Sequence, residues 1–264
     1  MNGDKIHPMN DLSGFPLLDF DPTPEAILEP GKIHPSIDAP EHFVLCFFNE
    51  VIERVVALKG AREIHRLRSE VRDFPIYEIE YQGRRLAFFQ PGVGAPLAAW
   101  LLEVAIALGG KHFIACGGCG VLDERVSCGH LLIPTAAMRG EGTSYYYLPA
   151  SAEIQVSEKV QAVLEHTLQT RELPYLLTKS WTTDALYRET PAKAARYKAS
   201  GCLAVEMELA AFLAVSQFRG VDFGQILYGG DAVLAEGWDQ REWHTRADVR
   251  ENLFWLAADA CLDL

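Results

Sequence analysis

The strongest constraint on the fold is a series of short apolar runs separated by helical segments. Phe43-Val-Leu-Cys-Phe-Phe48 contains no polar residue but a cysteine, the mark of a strand covered on both faces. A helical pattern follows from Val51 to Leu58. Ile76 to Tyr81 alternates apolar and polar residues, Gln82-Gly83 marks a turn, and Leu86-Ala-Phe-Phe89 resumes an apolar strand. That is a hairpin feeding a sheet. Gln90-Pro91-Gly92-Val93-Gly94-Ala95-Pro96 then opens a helix to about Leu108. Pro96 suits its first turn and Gly109-Gly110 its stop. His112-Phe-Ile-Ala-Cys116 is another strand, ending in Gly117-Gly118-Cys119-Gly120. Strand, Gly-rich turn, helix, strand, Gly-rich turn is α/β grammar. Ligands in such folds bind beyond the carboxyl ends of the strands, where both Gly turns fall.

Farther on, Leu131-Leu-Ile-Pro134 reads as a strand and Met138 to Pro149 as a polar, aromatic loop. A helix is expected over about 157 to 171, a strand over Tyr175 to Lys179, and a loop over Trp181 to Thr190. Another helix follows Pro191, and one more ends near Phe218. The strand Gly224 to Tyr228 ends at Gly229-Gly230-Asp231, and a last helix covers about Arg246 to Asp263. Prolines 8, 16, 22, 24, 30, 35 and 40 break any helix in the first 40 residues. Residues 1–40 are therefore expected to be an irregular extension, and 41–264 one domain without repeat or linker. The chain's 264 residues, 49% hydrophobic, suffice for one large core. A net charge of −12 argues against nucleic acid or an anionic membrane as partner. Any anionic substrate must be held by local arginines and backbone N–H groups. No signal pattern or bilayer-length apolar run is visible. Several of the cysteines sit in apolar segments, as buried reduced thiols do, so a cytoplasmic protein is expected.

Ala204-Val-Glu-Met-Glu-Leu-Ala-Ala211 stands out. Glu206 and Glu208, at i and i+2, do not share a helix face. One reading is a turn into a helix that projects Met207 and Glu208 into a pocket. The other is an acidic helix start favoured by the helix dipole. The Gly117–Gly120 turn can present N–H groups to an oxyanion, or be only a tight turn. Cys116 and Cys119 form a C-x-x-C with Cys128 and His130 downstream, yet no second pair exists, so core packing is preferred to a metal. Asp231, after a strand and two glycines, is placed to protonate a leaving group, or is a turn aspartate. Asp184 has the same ambiguity. Arg72, Arg139 and Arg188 lie in or beside loops, where a guanidinium fork can meet phosphate or carboxylate.

Together these segments resemble the nucleoside phosphorylase/uridine phosphorylase superfamily, from about residue 43 to about 260. Glu206-Met207-Glu208 matches the family's E-M-E signature, and its surroundings look like methylthioadenosine/S-adenosylhomocysteine nucleosidases. The resemblance implies a three-layer α/β/α domain with a central mixed sheet, active as dimers or as hexamers (trimers of dimers). It implies that Met207, Glu208 and Glu206 hold a ribose. Gly94 resembles the G-I-G turn near phosphate, and Gly118 and Cys119 would offer backbone donors. Arg72 matches an arginine that reaches a neighbouring subunit's phosphate site. Asp231 matches the acid used at purine bases, with Arg188 and Asp184 also placed towards the base. Two phosphate contacts are missing: the P-G-D-P-x-R loop reads Phe47-Phe-Asn-Glu-Val-Ile-Glu-Arg54, and Ala115 with Gly117-Gly118-Cys119 occupies the place of another arginine and its Gly-Thr/Ser. The nucleosidases share these absences and use an acid after the first strand to activate water, a role open to Glu50 or Glu53. The expectation is phosphorolysis of a purine nucleoside, with inorganic phosphate as co-substrate and neither metal nor cofactor. Hydrolysis and non-catalytic nucleoside binding are the alternatives.

Overall fold

The structure, a computed structural model, describes residues 14–264. The part of the N-terminal extension that carries Pro8 lies outside the described residues. From residue 14 the chain is irregular except for a 3-10 turn at Pro16–Leu18 and a short helix α1 (Pro30–Ile33). There follow β1 (His42–Cys46), α2 (Asn49–Lys59), β2 (Arg62–Arg68), β3 (Asp73–Tyr81), β4 (Arg84–Phe89) and α3 (Ala95–Leu108). Next come β5 (His112–Val121), β6 (Leu131–Gly140), β7 (Glu153–Gln155), α4 (Glu158–Thr170), β8 (Tyr175–Thr183) and α5 (Pro191–Ala199). The chain ends with β9 (Cys202–Glu206), α6 (Leu209–Arg219), β10 (Asp222–Leu234), β11 (Gly237–Asp239) and α7 (Ala247–Leu262).

The fold is a three-layer α/β/α sandwich about one mixed sheet. After His42, β1 is apolar and buried because it lies between β4 and β5, parallel to both, under helices. On one face α2 and α4 pack against α7; on the other α3 packs against α6. The sheet is not a plain open one. β10 pairs with β5 and β6, β6 with β8, β8 with β9, and β9 with β5, so these strands close a ring. Cys119, Val121, Leu132, Ala204, Leu227 and Ala232 from its strands form a separate apolar cluster. β1, β4, β3 and β2 extend from the ring through β5.

Several boundaries depart from the sequence reading, for physical reasons. β2 carries no apolar periodicity because it is an edge strand. Arg66 pairs with Glu63 and Asp73, and Arg62 with Glu78, the charged dress that blunts a sheet edge. The expected loops at Met138 and Trp181 begin three residues later, since residues 138–140 end β6 and 181–183 end β8. Gly117-Gly118-Cys119-Gly120 is not a turn but the buried second half of β5. Its glycines make room for neighbours: an added Cβ would stand 3.0 Å from the Phe47 ring at 117, 3.2 Å from Tyr228 at 118 and 2.9 Å from Val205 at 120. β10 likewise continues through Gly229-Gly230-Asp231. Gly229 pairs with Cys119 and Ala232 with Val121. Two residues on β10 thus oppose the single Gly120, a β-bulge of the kind that re-aims a side chain. Gly120→Ala should lower stability by about 1–3 kcal/mol through overpacking, read as a fall in thermal midpoint; an unchanged midpoint would show that Val205 and Val233 yield freely.

Candidate active site

β1 pairs with β5 only as far as Cys116, and β9 takes over on that side only from Gly120. Between them no strand pairs with that edge of β5 among the described residues. The split is the kind of crevice at which α/β sheets bind ligands. A cavity of about 300 Å³ opens there, walled by Phe47 and Phe48 after β1, Gly118–Gly120 of β5, and Val205 to Glu208 at the end of β9. Val93, Gln225, Gly230, Asp231, Trp243 and Arg250 complete it.

The two acids of the Glu-Met-Glu stretch do different work. Glu206 is buried, and its carboxylate accepts from the Ser180 hydroxyl at 3.0 Å and the Thr182 hydroxyl at 2.6 Å. Its other oxygen accepts from the N–H groups of Glu208 at 2.7 Å and Leu209 at 2.6 Å. These are orphan donors at the start of α6, so Glu206 is the dipole-matched helix start. In place of the expected ribose contact, its acceptor capacity is committed to the fold, although it lines the cavity. Thr182 also accepts from Ala210 N–H at 3.0 Å, joining β8, β9 and α6 through one hydroxyl.

Glu208 follows the other reading. It sits at the cavity wall and accepts from the Gly94 N–H at 2.5 Å. Gly94, at φ +94°, precedes α3, a left-handed geometry that glycine tolerates. Its N–H is therefore committed to Glu208 and not offered to phosphate, as the resemblance implied. Burial, then the charge of Glu206, raises the Glu208 carboxyl well above the usual carboxylate range; N–H donors from Gly94 and Met207 oppose this. Desolvation also raises Glu206, against its four donors.

Asp231, displayed by the β10 bulge, accepts from the Trp238 indole N–H at 2.6 Å. Glu189, half-buried just before α5, was not singled out from sequence. Burial, and then the charge of Asp231, pushes it up to about 7. Met207, Gly118 and Cys119 line the cavity as expected. The Cys119 thiol points to the Tyr228 carbonyl at 3.5 Å, and burial raises it far above reactivity. The described residues hold no cluster of three or more His, Cys, Asp or Glu suited to a metal.

Other expected site residues lie elsewhere. Arg72 is exposed on the β2–β3 connection, bonded to Gln90 and over the Phe74 ring. Asp184 accepts from Gly142 N–H at 2.9 Å and lines a different cavity, between the N-terminal segment and α3. Arg188 and Glu53 are exposed and line neither cavity. Arg139 is buried, ordering the following loop through Ser144, Leu148, Pro149 and Ser151. Glu50 is ion-paired to Arg250 at the cavity's edge. Arg250 and Gln225 were missed, since neither belongs to a local motif; Gln225 is buried with its Oε1 unpartnered beside the cavity.

A family model described as the phosphorylase superfamily matches residues 42–260. A guanosine phosphorylase of Halorubrum lacusprofundi is 28% identical over 208 residues, covering 77% of this chain and 80% of that protein. The fold superimposes on purine nucleoside phosphorylase from Toxoplasma gondii, in complex with immucillin-H, with a TM-score of 0.75 at 21% identity, covering 87% of this chain and 95% of that one. AMP nucleosidase from Bacteroides thetaiotaomicron has a TM-score of 0.68 at 22% identity, covering 86% and 89%.

The Glu189 carboxyl has a testable consequence. Its folded pKa near 7 lies above an unfolded value near 4.3. Between these pH values the folded chain holds a proton that the unfolded chain has lost, so stability falls as pH rises. Glu189→Gln should remove that slope. The thermal midpoint of the variant minus that of the wild type should grow from pH 5 to pH 8; a constant difference would refute the shift.

Proposed function

The chain belongs to the phosphorylase superfamily, and on that premise we propose that it is a nucleoside phosphorylase acting on purine nucleosides. The observation that carries this is the meeting, in one cavity, of Glu208 with an acceptor oxygen to spare and Asp231 on its bulge. Glu208 accepts from ribose hydroxyls and, as a carboxylate, favours the positive charge that develops on the sugar. Met207 packs beside the sugar. Phosphate oxygen forms the bond to the anomeric carbon as the bond to the base nitrogen breaks, and that electron pair leaves with the base. Asp231 delivers or shares the proton the base needs. The products are free base and ribose 1-phosphate, so nucleoside and inorganic phosphate balance the reaction without a cofactor.

The structure also bears on the hydrolytic reading. Of its two water-activating candidates, Glu53 is exposed away from the cavity and Glu50 is held in an ion pair by Arg250. Neither lines the cavity. That favours phosphate over water as nucleophile, although AMP nucleosidase shares the fold. Among the described residues no helix is long and apolar enough to cross a membrane. We read the protein as cytoplasmic and as a homo-oligomer, dimer or trimer of dimers. Exposed Val93, Trp100 and Tyr146 beside the cavities suit a subunit contact, and the exposed Arg72 would reach across it by exchanging its Gln90 bond.

Release of free base from a panel of nucleosides, with and without inorganic phosphate, tests the reading. Purine release should require phosphate, and Asp231→Asn should lower kcat by about 10²–10⁴-fold with little change in nucleoside affinity. Phosphate-independent release would make the protein a nucleosidase. No turnover from any nucleoside would make it a binding protein.

A further inference from the structure

We propose that Arg250 holds the attacking phosphate, and that Glu50 is the counter-charge which phosphate displaces; this rests on the phosphorolytic reading above. Four charged side chains line the cavity: Glu206, Glu208, Asp231 and Arg250. A phosphate anion entering beside three carboxyl groups needs a cation, because the cost of bringing an anion out of water is offset only by a close opposite charge. Arg250 is the guanidinium among them.

Its position suits the task. The side chain comes from α7 and is 12% exposed. Its guanidinium carbon lies 4.8 Å from the centre of the Phe48 ring and 5.3 Å from that of Trp243. Nε donates to the Tyr228 hydroxyl at 3.2 Å, and that hydroxyl donates to the Trp243 carbonyl at 3.2 Å. The Tyr228 ring lies against Gly118, on the stretch of β5 that has no neighbouring strand on one side. Arg250 thus stands where the segment after β1 meets β5. In this sequence those two places lack arginine: Phe47 to Arg54 replaces one loop, and Ala115 precedes the glycines. The helix at the far end of the chain supplies the charge instead.

The fork is not saturated. Guanidinium has five N–H donors, of which Tyr228 takes one and Glu50 another through Nη1. Glu50, in the first turn of α2, is 45% exposed. It can swing into water because its own side chain is half-exposed. Phosphate takes over its place with two parallel bonds. The same chemistry could be offered by the 5′-phosphate of a nucleotide; we assign the site to inorganic phosphate because the sugar C1′ needs a nucleophile.

The experiment measures phosphate affinity by calorimetric titration with inorganic phosphate, and KM for phosphate with a purine nucleoside, in wild type, Arg250→Gln and Glu50→Gln. Arg250→Gln should weaken both about 10- to 100-fold, the usual range for a lost charge-assisted contact. Glu50→Gln should strengthen both about 3- to 10-fold by removing the competitor. Opposite signs are decisive, because an ion pair that merely braced α2 against α7 would lose function in the same direction from either side. Losses in the same direction, or phosphate affinity unchanged in both folded variants, would overturn the assignment while phosphorolysis stood. Wild-type base release that ignores phosphate, with no phosphate bound, would overturn both. A nucleoside 5′-monophosphate cleaved without phosphate, with its KM alone raised by Arg250→Gln, would reassign the site to the nucleotide and overturn the proposal.

Discussion

A buried carboxylate with four donors holds the site together. Glu206 ties the hydroxyls of β8 to the first N–H groups of α6. Leaving a charge unpaired in such a place costs several kcal/mol, about 3–5 by analogy with broken buried pairs, so every donor is obligatory. That obligation fixes the turn after β9. Two residues later Glu208 meets the N–H of Gly94, which belongs to the connection between β4 and α3. Elements distant in sequence are thereby registered at one point, and the ligand-facing oxygen of Glu208 inherits their rigidity. The geometry of this cavity wall depends on a carboxylate, Glu206, whose own acceptors are all taken.

Ring closure of the sheet supplies the second constraint. β5 must serve β1 for its first half and β9 for its last residues while β10 runs along its other edge. Large side chains at 117, 118 and 120 would collide with Phe47, Tyr228 and Val205, so glycines are needed for packing and leave an open backbone edge as a consequence. On β10 the extra residue opposite Gly120 turns Asp231 towards this opening. The glycines that sequence reading treats as a phosphate turn are better understood as spacers that let three elements converge.

Much of the fold was legible because its core strands are continuous apolar runs and its helices have ordinary stops. β1, β4, α3, α4, α6 and α7 match their expected spans within a few residues. What could not be read was set by tertiary pairing. β2 shows charge where an edge needs it, and the ends of β6 and β8 bury Arg139, Thr182 and Thr183, polar residues whose partners are remote in sequence. Met207, Glu208 and Asp231 line one cavity, as expected, because they lie where a strand ends or bulges. Arg188 and Asp184 do not line this cavity, since loop position does not reveal direction. Arg250 was invisible: a lone arginine near the start of the last helix looks like any surface arginine until Phe48, Trp243 and Tyr228 surround it.

Charge balance explains how such an acidic cavity can serve a reaction that passes through positive charge. Glu208 is raised by burial and by Glu206, and Glu189 by burial and by Asp231, so both ionise less readily than a free carboxyl. Hydroxyl donors from a sugar favour the charged form of Glu208, as would a guanidinium-held anion whose attack makes the anomeric carbon electron-poor. On the proposed reading, sugar binding and proton release from Glu208 would be linked. A site with Glu208 ionised beforehand would oppose the phosphate it must also admit. On the proposed reading, a Glu208 that kept its proton until both ligands were near would let one cavity attract an anion and then stabilise a cation.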